Sequence, residues 1–222
     1  MYFLLQSFSN PIIISEGKMR KFLLLFVVLI MIASCICGCT DSGELVIDGK
    51  TYVQTDEITD FVCITMEDGE KIMIKLRPDC APISVENFQK LVSQHFYDGI
   101  IFHRVIYNFM IQGGDPNGIG TGGSGEKIYG EFAANGFDNK LSHVRGTVSM
   151  ARPSNDYDGA SSQFFICHGD FSLGGDGQYA AFGTVIYGME TVDKIASVEV
   201  SPINDNPIVD QVMKSVRFYK QK

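Results

Sequence analysis

The chain has 222 residues, 45% of them hydrophobic and 20% charged, which supplies a packed core and excludes a disordered composition. Its formal charge of -8 excludes the basic face with which nucleic-acid binders neutralise phosphates. Seventeen of the 23 glycines lie between Gly113 and Gly188 with no G-x-y repeat and among many Phe, Ile and Val residues, so collagen and flexible linkers are excluded and a turn-rich, mostly β domain is expected.

Lys18, Arg20 and Lys21 precede an unbroken apolar run, Phe22 to Ala33, and then small residues and three cysteines. A basic start, a short apolar core and a small-residue end make an export signal, and the run is shorter than the roughly 20 residues a spanning helix prefers. Met19-Arg20-Lys21 reads as an ordinary signal start, with an extension before it. The cysteine context resembles a bacterial lipoprotein signal. Ile32-Ala33-Ser34-Cys35 fits that pattern, and Ile36-Cys37-Gly38-Cys39 places Cys39 where a polar stretch begins. Cys39 and Cys35 are therefore the lipidation candidates, and an uncleaved anchor helix is the alternative. Either outcome implies an extracytoplasmic protein anchored to the cell membrane by a lipid or by its N-terminus. The expected organisation is an export segment over 1–38, a tether over 39–59 and one domain over 60–222.

Within the domain, Phe61 to Met66 and Lys71 to Leu76 flank Asp68-Gly69, a hairpin signal. Ser84 is expected to cap a helix carrying Val85, Phe88, Leu91 and Val92 on one face, with Glu86 in its first turn. Short strands follow over 100–106, 109–112, 147–151, 163–167 and 180–186, then a second helix over 190–196 and a last strand marked by Val212, Val216 and Phe218. Many short strands, Gly-rich turns and two helices predict a closed β-barrel capped by helices.

Gly118, Gly120 and Gly123 formally match a dinucleotide-binding fingerprint, but the residues after them cannot open the helix that motif requires. The four histidines are scattered and form no metal-ligand spacing, so no metal and no cofactor is expected. Cys63 and Cys167 sit in apolar strand patterns and read as buried small hydrophobes, while a pairing of Cys80 stays open. The sharper cluster is Phe102-His103-Arg104-Val105. Strand alternation would turn the Phe102 ring and the Arg104 guanidinium to one face.

Phe102-His103-Arg104-Val105, Phe109-Met110-Ile111-Gln112-Gly113-Gly114-Asp115, Gly120-Thr121-Gly122-Gly123, Ser162-Gln163-Phe164-Phe165-Ile166 and Ala181-Phe182-Gly183, in this order, resemble the cyclophilin-type peptidyl-prolyl cis-trans isomerases. The resemblance covers about residues 60–220. It implies an eight-stranded antiparallel barrel closed by two helices, with no cofactor. It implies that Arg104 is the catalytic arginine and that Gln112 orients it. Phe109, Met110, Phe165 and Leu173 would form an apolar pocket for the substrate proline. Ala151 and Arg152 would pair with the substrate backbone, Gln163 would contact the peptide, and Tyr179 stands where many members carry His. His103 would mainly support its strand. The implied partners are proline-containing peptides and unfolded exported proteins. A peptide-binding module or holdase with little turnover is the alternative. The chain has no Trp, and the rim at Phe171-Ser172-Leu173-Gly174-Gly175 departs from the family pattern.

Overall fold

Short strands, several of them buried along most of their length, build a single sheet. A computed structural model describes residues 43–222; the export segment, Cys35 and Cys39 lie outside the described residues. The strands are β1 Glu44–Ile47, β2 Lys50–Thr55, β3 Phe61–Met66, β4 Lys71–Leu76, β5 Phe102–Ile106, β6 Met110–Gly113, β7 Thr147–Met150, β8 Phe164–Cys167, β9 Ala181–Tyr187 and β10 Met213–Gln221. The helices are α1 Pro82–Ser93, α2 Ser172–Gly175 and α3 Met189–Ala196.

The sheet order is β1-β2-β10-β3-β4-β9-β7-β8-β6-β5, with antiparallel neighbours throughout. This corrects the expected closed, eight-stranded barrel: among the described residues the sheet has ten strands and is not closed. The additional strands, β1 and β2, come from the segment that reads as a tether. Asp48-Gly49 joins them as a hairpin, and Tyr52 and Ile47 bury against Cys63, Met73 and Tyr219. β2 pairs with the end of β10, Phe218 to Gln221, while the start of β10 meets β5 and the residues just before it through the bridge between Ile101 and Val212 and a few main-chain bonds, among them Phe102 N–H to Gln211 C=O at 2.9 Å. The sequence predicts two helices; the one-turn α2 is a third among the described residues.

The main core lies between the sheet and the helices. Val85, Phe88, Leu91 and Val92 of α1 and Val192, Ile195 and Ala196 of α3 are buried in it, as the helical spacing predicts. Phe88 packs on Tyr97, Phe164 and Phe182 with ring centroids 5.0–5.5 Å apart. The start of α1 differs from expectation. Pro82 opens the helix after Ala81, so Ser84 lies inside it, and Glu86 is not in the first turn. The fully buried Glu131 carboxylate takes over the capping role: it accepts from the Ile83 and Ser84 N–H groups and from Ser84 Oγ at 2.7–2.9 Å. Cys63, Cys80 and Cys167 are buried and form no disulfide among the described residues, and burial pushes the Cys167 thiol up to about 12.

Candidate active site

The site begins with an irregularity in β5. Phe102 lies opposite Gly113 of β6, but Arg104 lies opposite Gln112, so His103 is an extra residue on its strand. Such a bulge breaks alternation and re-aims side chains. Phe102 and Val105 therefore bury in the core, while His103 and Arg104 both line a cleft. The expectation that Phe102 and Arg104 share a face is corrected by this extra residue. His103 is also more than strand support. It is 3% exposed, and neither ring nitrogen has a hydrogen-bond partner among the described residues. Burial holds its pKa below the ordinary value against the opposing pull of Asp115.

The cleft has a volume of about 380 Å³ and contains most of the sequence-predicted residues: Arg104, Phe109, Met110, Gln112, Ala151, Arg152, Phe165 and Tyr179. Its apolar floor is Met110 and Phe165, with Phe109, Ala151, Phe171 and Tyr179 packed around them. His143 stacks beneath Phe165 at 6.0 Å. The ring is fixed at both ends, by Asp176 Oδ1 on Nδ1 and by Ser149 Oγ on Nε2, each at 2.9 Å. This Ser-His-Asp connectivity does not make a nucleophile, because Ser149 is 0% exposed and so closed to a substrate carbonyl. It orients the floor instead. Burial holds the His143 pKa below its ordinary value despite Asp176.

Leu173 is not part of the pocket: it does not line the cleft and is fully exposed. The inner side of α2 is glycine, and a Cβ added to Gly175 would lie 2.5 Å from His143 Cγ. That close approach lets Phe171, just before α2, turn its ring to Phe109 with centroids 4.7 Å apart, while Leu173 faces solvent. Phe171 takes the place expected of Leu173.

Gln112 donates through Nε2 to Gln163 Oε1 at 2.8 Å, and Gln163 in turn donates to Gly120 O and Gly122 O at 3.0 and 2.8 Å. Gln163 thus ties the Gly-rich loop to β6. That loop wraps Asp115, whose carboxylate accepts from the amides of Asn117, Ile119 and Gly120. Burial pushes the Asp115 pKa up, but these amide bonds outweigh it and hold the carboxyl below its ordinary range. Ile119 and Gly120 form a cleft wall beside Arg104, and Gln163 lines an adjoining depression of about 580 Å³ that shares Gln112, Gly120, Ala151 and Arg152. Arg152 is itself held in place. Its guanidinium lies 4.9–5.0 Å from the ring centroids of Phe132, Tyr157 and Tyr179 and donates to Gln178 O, Pro153 O and Ser154 O. The Ala151 N–H is bonded to Gln163 O.

Sequence reasoning missed His103, Phe171, Asn204 and Asn206, all of which line the cleft. Phe171 had a signal in its aromatic type next to the Gly pair. The two asparagines had none, since they reach the site from a loop remote in sequence. Among the described residues no group of three or more His, Cys, Asp or Glu side chains could hold a metal ion.

The cleft sets the Arg104 side chain beside an apolar floor of Met110 and Phe165, a combination suited to holding a small apolar ring next to a cationic donor. The family model described as "Cyclophilin type peptidyl-prolyl cis-trans isomerase/CLD" matches residues 61–218, and the chain belongs to that family and is a peptidyl-prolyl cis-trans isomerase. It is 48% identical over 134 residues to a peptidyl-prolyl cis-trans isomerase of Acinetobacter baylyi, covering 59% of this chain and 69% of that one. It is 42% identical over 135 residues to peptidyl-prolyl cis-trans isomerase B of Bacillus subtilis, covering 61% and 90%. In structure it resembles a cyclophilin-type isomerase of Cryptosporidium parvum crystallised in the presence of the dipeptide Ala-Pro, with a TM-score of 0.64 and 30% identity, covering 71% of this chain and 98% of that one. β1 and β2 lie outside the region that the family model matches.

Proposed function

We propose that this isomerase acts on X–Pro bonds of exported proteins outside the cytoplasm, with Arg104 as its catalytic residue. The observation that carries the reading of the site is the placement of the Arg104 guanidinium at the edge of the Phe109, Met110 and Phe165 pocket. The X–Pro bond turns slowly because its partial double-bond character sets a barrier of about 18–20 kcal/mol. Twisting the bond localises the lone pair on the prolyl nitrogen. A guanidinium that donates to that nitrogen binds the twisted state better than the planar one and so lowers the barrier. Phe109, Met110 and Phe165, with Phe171 closing the side, hold the proline ring while the residue before it rotates.

Gln112 positions the arginine. With its amide nitrogen engaged by Gln163, its carbonyl oxygen is the end left for the guanidinium. The main chain at Ala151 and Arg152 and the Gln163 amide bind the peptide on either side of the proline. The likeness to the Cryptosporidium parvum isomerase, crystallised in the presence of Ala-Pro, supports a proline peptide as the ligand. The basic-apolar-small order of residues 18–39 supports export and anchoring at Cys39, at Cys35 or by an uncleaved helix. Among the described residues no helix is long and apolar enough to cross a membrane.

The test is turnover of an Ala-Pro peptide by the full chain in a protease-coupled assay. Arg104→Ala is expected to lower kcat/KM by about 10²-fold or more with the fold kept, the scale of losing one transition-state donor. Unchanged turnover in that variant would sink the mechanism, and peptide binding without turnover in the wild type would favour the holdase. Mass spectrometry of the mature N-terminus and cell fractionation test the anchor and the location. An intact N-terminus on a soluble protein would overturn both.

A further inference from the structure

We propose that Asp205 is a positioning residue for Arg104, an inference that rests on the reading of Arg104 as the catalytic arginine. Asp205 Oδ2 lies 3.4 Å from Arg104 Nε, and among the described residues it is the ion-pair partner of that guanidinium. The contact is built by the main chain. Val105 N–H, one residue beyond Arg104 on the outer edge of β5, donates to Asp205 C=O at 2.9 Å. The loop behind it is closed by Asp205 N–H to Ser201 C=O at 3.0 Å and Ser201 N–H to Asn206 C=O at 2.8 Å. Asp205 itself has φ of 59°, a conformation that Asp and Asn tolerate better than most residues. Its neighbours Asn204 and Asn206 line the cleft. The loop therefore holds a carboxylate against the Nε edge of a guanidinium whose side chain lines the cleft.

The physical need is clear. A free arginine side chain samples many rotamers, and a donor that acts only on the twisted state must wait in the right orientation. Both side chains are 41% exposed, so the pair adds little to stability and its value lies in orientation. Gln112 stands opposite Arg104 on β6, and Asp205 lies on the other, outer side of β5.

Asp205→Gly suits the positive φ and removes the side chain, whereas Asp205→Asn keeps an oxygen in the same place. In the full chain, Asp205→Gly is expected to lower kcat about three- to tenfold with KM within about twofold, and Asp205→Asn to restore most of the loss. The Arg104 Nε–H resonance should be observable by NMR in the wild type and in Asp205→Asn, and broadened by exchange in Asp205→Gly. The urea midpoint of each variant controls for folding. Wild-type kcat in Asp205→Gly, or an equal loss in Asp205→Asn, overturns the role of Asp205 while leaving Arg104 intact. Wild-type turnover in Arg104→Ala would instead overturn the reading of Arg104 itself.

Discussion

The rim of the cleft is decided by two residues in one short turn. Phe171 meets Phe109, His143, Phe165 and Tyr179 with its ring, and Leu173, two positions on, meets solvent. Each aromatic pair adds about 0.5–1.5 kcal/mol beyond area burial, so Phe171→Ala is expected to raise KM for an Ala-Pro peptide by several-fold. Leu173→Ala should leave both kcat and KM at wild-type values and shift stability by no more than about 0.5 kcal/mol. Steady-state kinetics of the two variants checks this, and the opposite ranking would return Leu173 to the pocket. The residue types at this rim are readable in the sequence, but which of the two turns inward is not. That choice depends on Gly175 accepting the His143 ring at a distance no Cβ would allow.

Among the elements, β1 and β2 stand apart because their segment reads as polar tether. Their signal is nonetheless present: Asp48-Gly49 sits between Leu45-Val46-Ile47 and Tyr52-Val53, as Asp68-Gly69 sits between β3 and β4. The flanking runs are short, and only their pairing on β10 gives Tyr52 a surface to bury against. Tyr52→Ala is expected to cost about 3 kcal/mol of unfolding free energy in urea while leaving kcat/KM of the folded protein unchanged, because it empties a cluster remote from the cleft. No loss of stability would mean that the hairpin merely rests on the sheet. β6 shows the same dependence on neighbours at its end. Gly114 has φ of 87°, and a Cβ there would lie 2.4 Å from Ser162 O, so the chain leaves the strand only through glycine.

Over the whole molecule, the buried histidines couple folding to pH. Burial holds His103 and His143 below their ordinary value of 6.5, so both favour the neutral form in the folded state. As pH falls through the unfolded-state value, the unfolded chain takes up protons that the native protein refuses. Stability contributed by these groups is therefore complete above about pH 6.5 and is lost progressively as pH falls toward their folded values. Urea midpoints at about pH 7.5, 6 and 5 should decline in that order, and less steeply in His103→Gln. A flat profile between about pH 7.5 and 5 would show that neither ring is held neutral.

By itself the sequence determined the class of fold, the places of most strands and of both longer helices, and the family through its ordered motifs. These depend on local periodicity and on residue types at fixed spacing. It also named most of the cleft residues between Arg104 and Tyr179, but not Ile119 or Phe171, and it placed Leu173 among them where the structure does not. Only the tertiary structure decided the open ten-stranded sheet, the cap of α1 by Glu131 from 47 residues away, the extra residue that turns His103 into the cleft, and the approach of Asp205 to Arg104. In each case the partner lies on a segment remote in the chain. Periodicity shows which face of an element is buried but carries no record of what arrives to cover it.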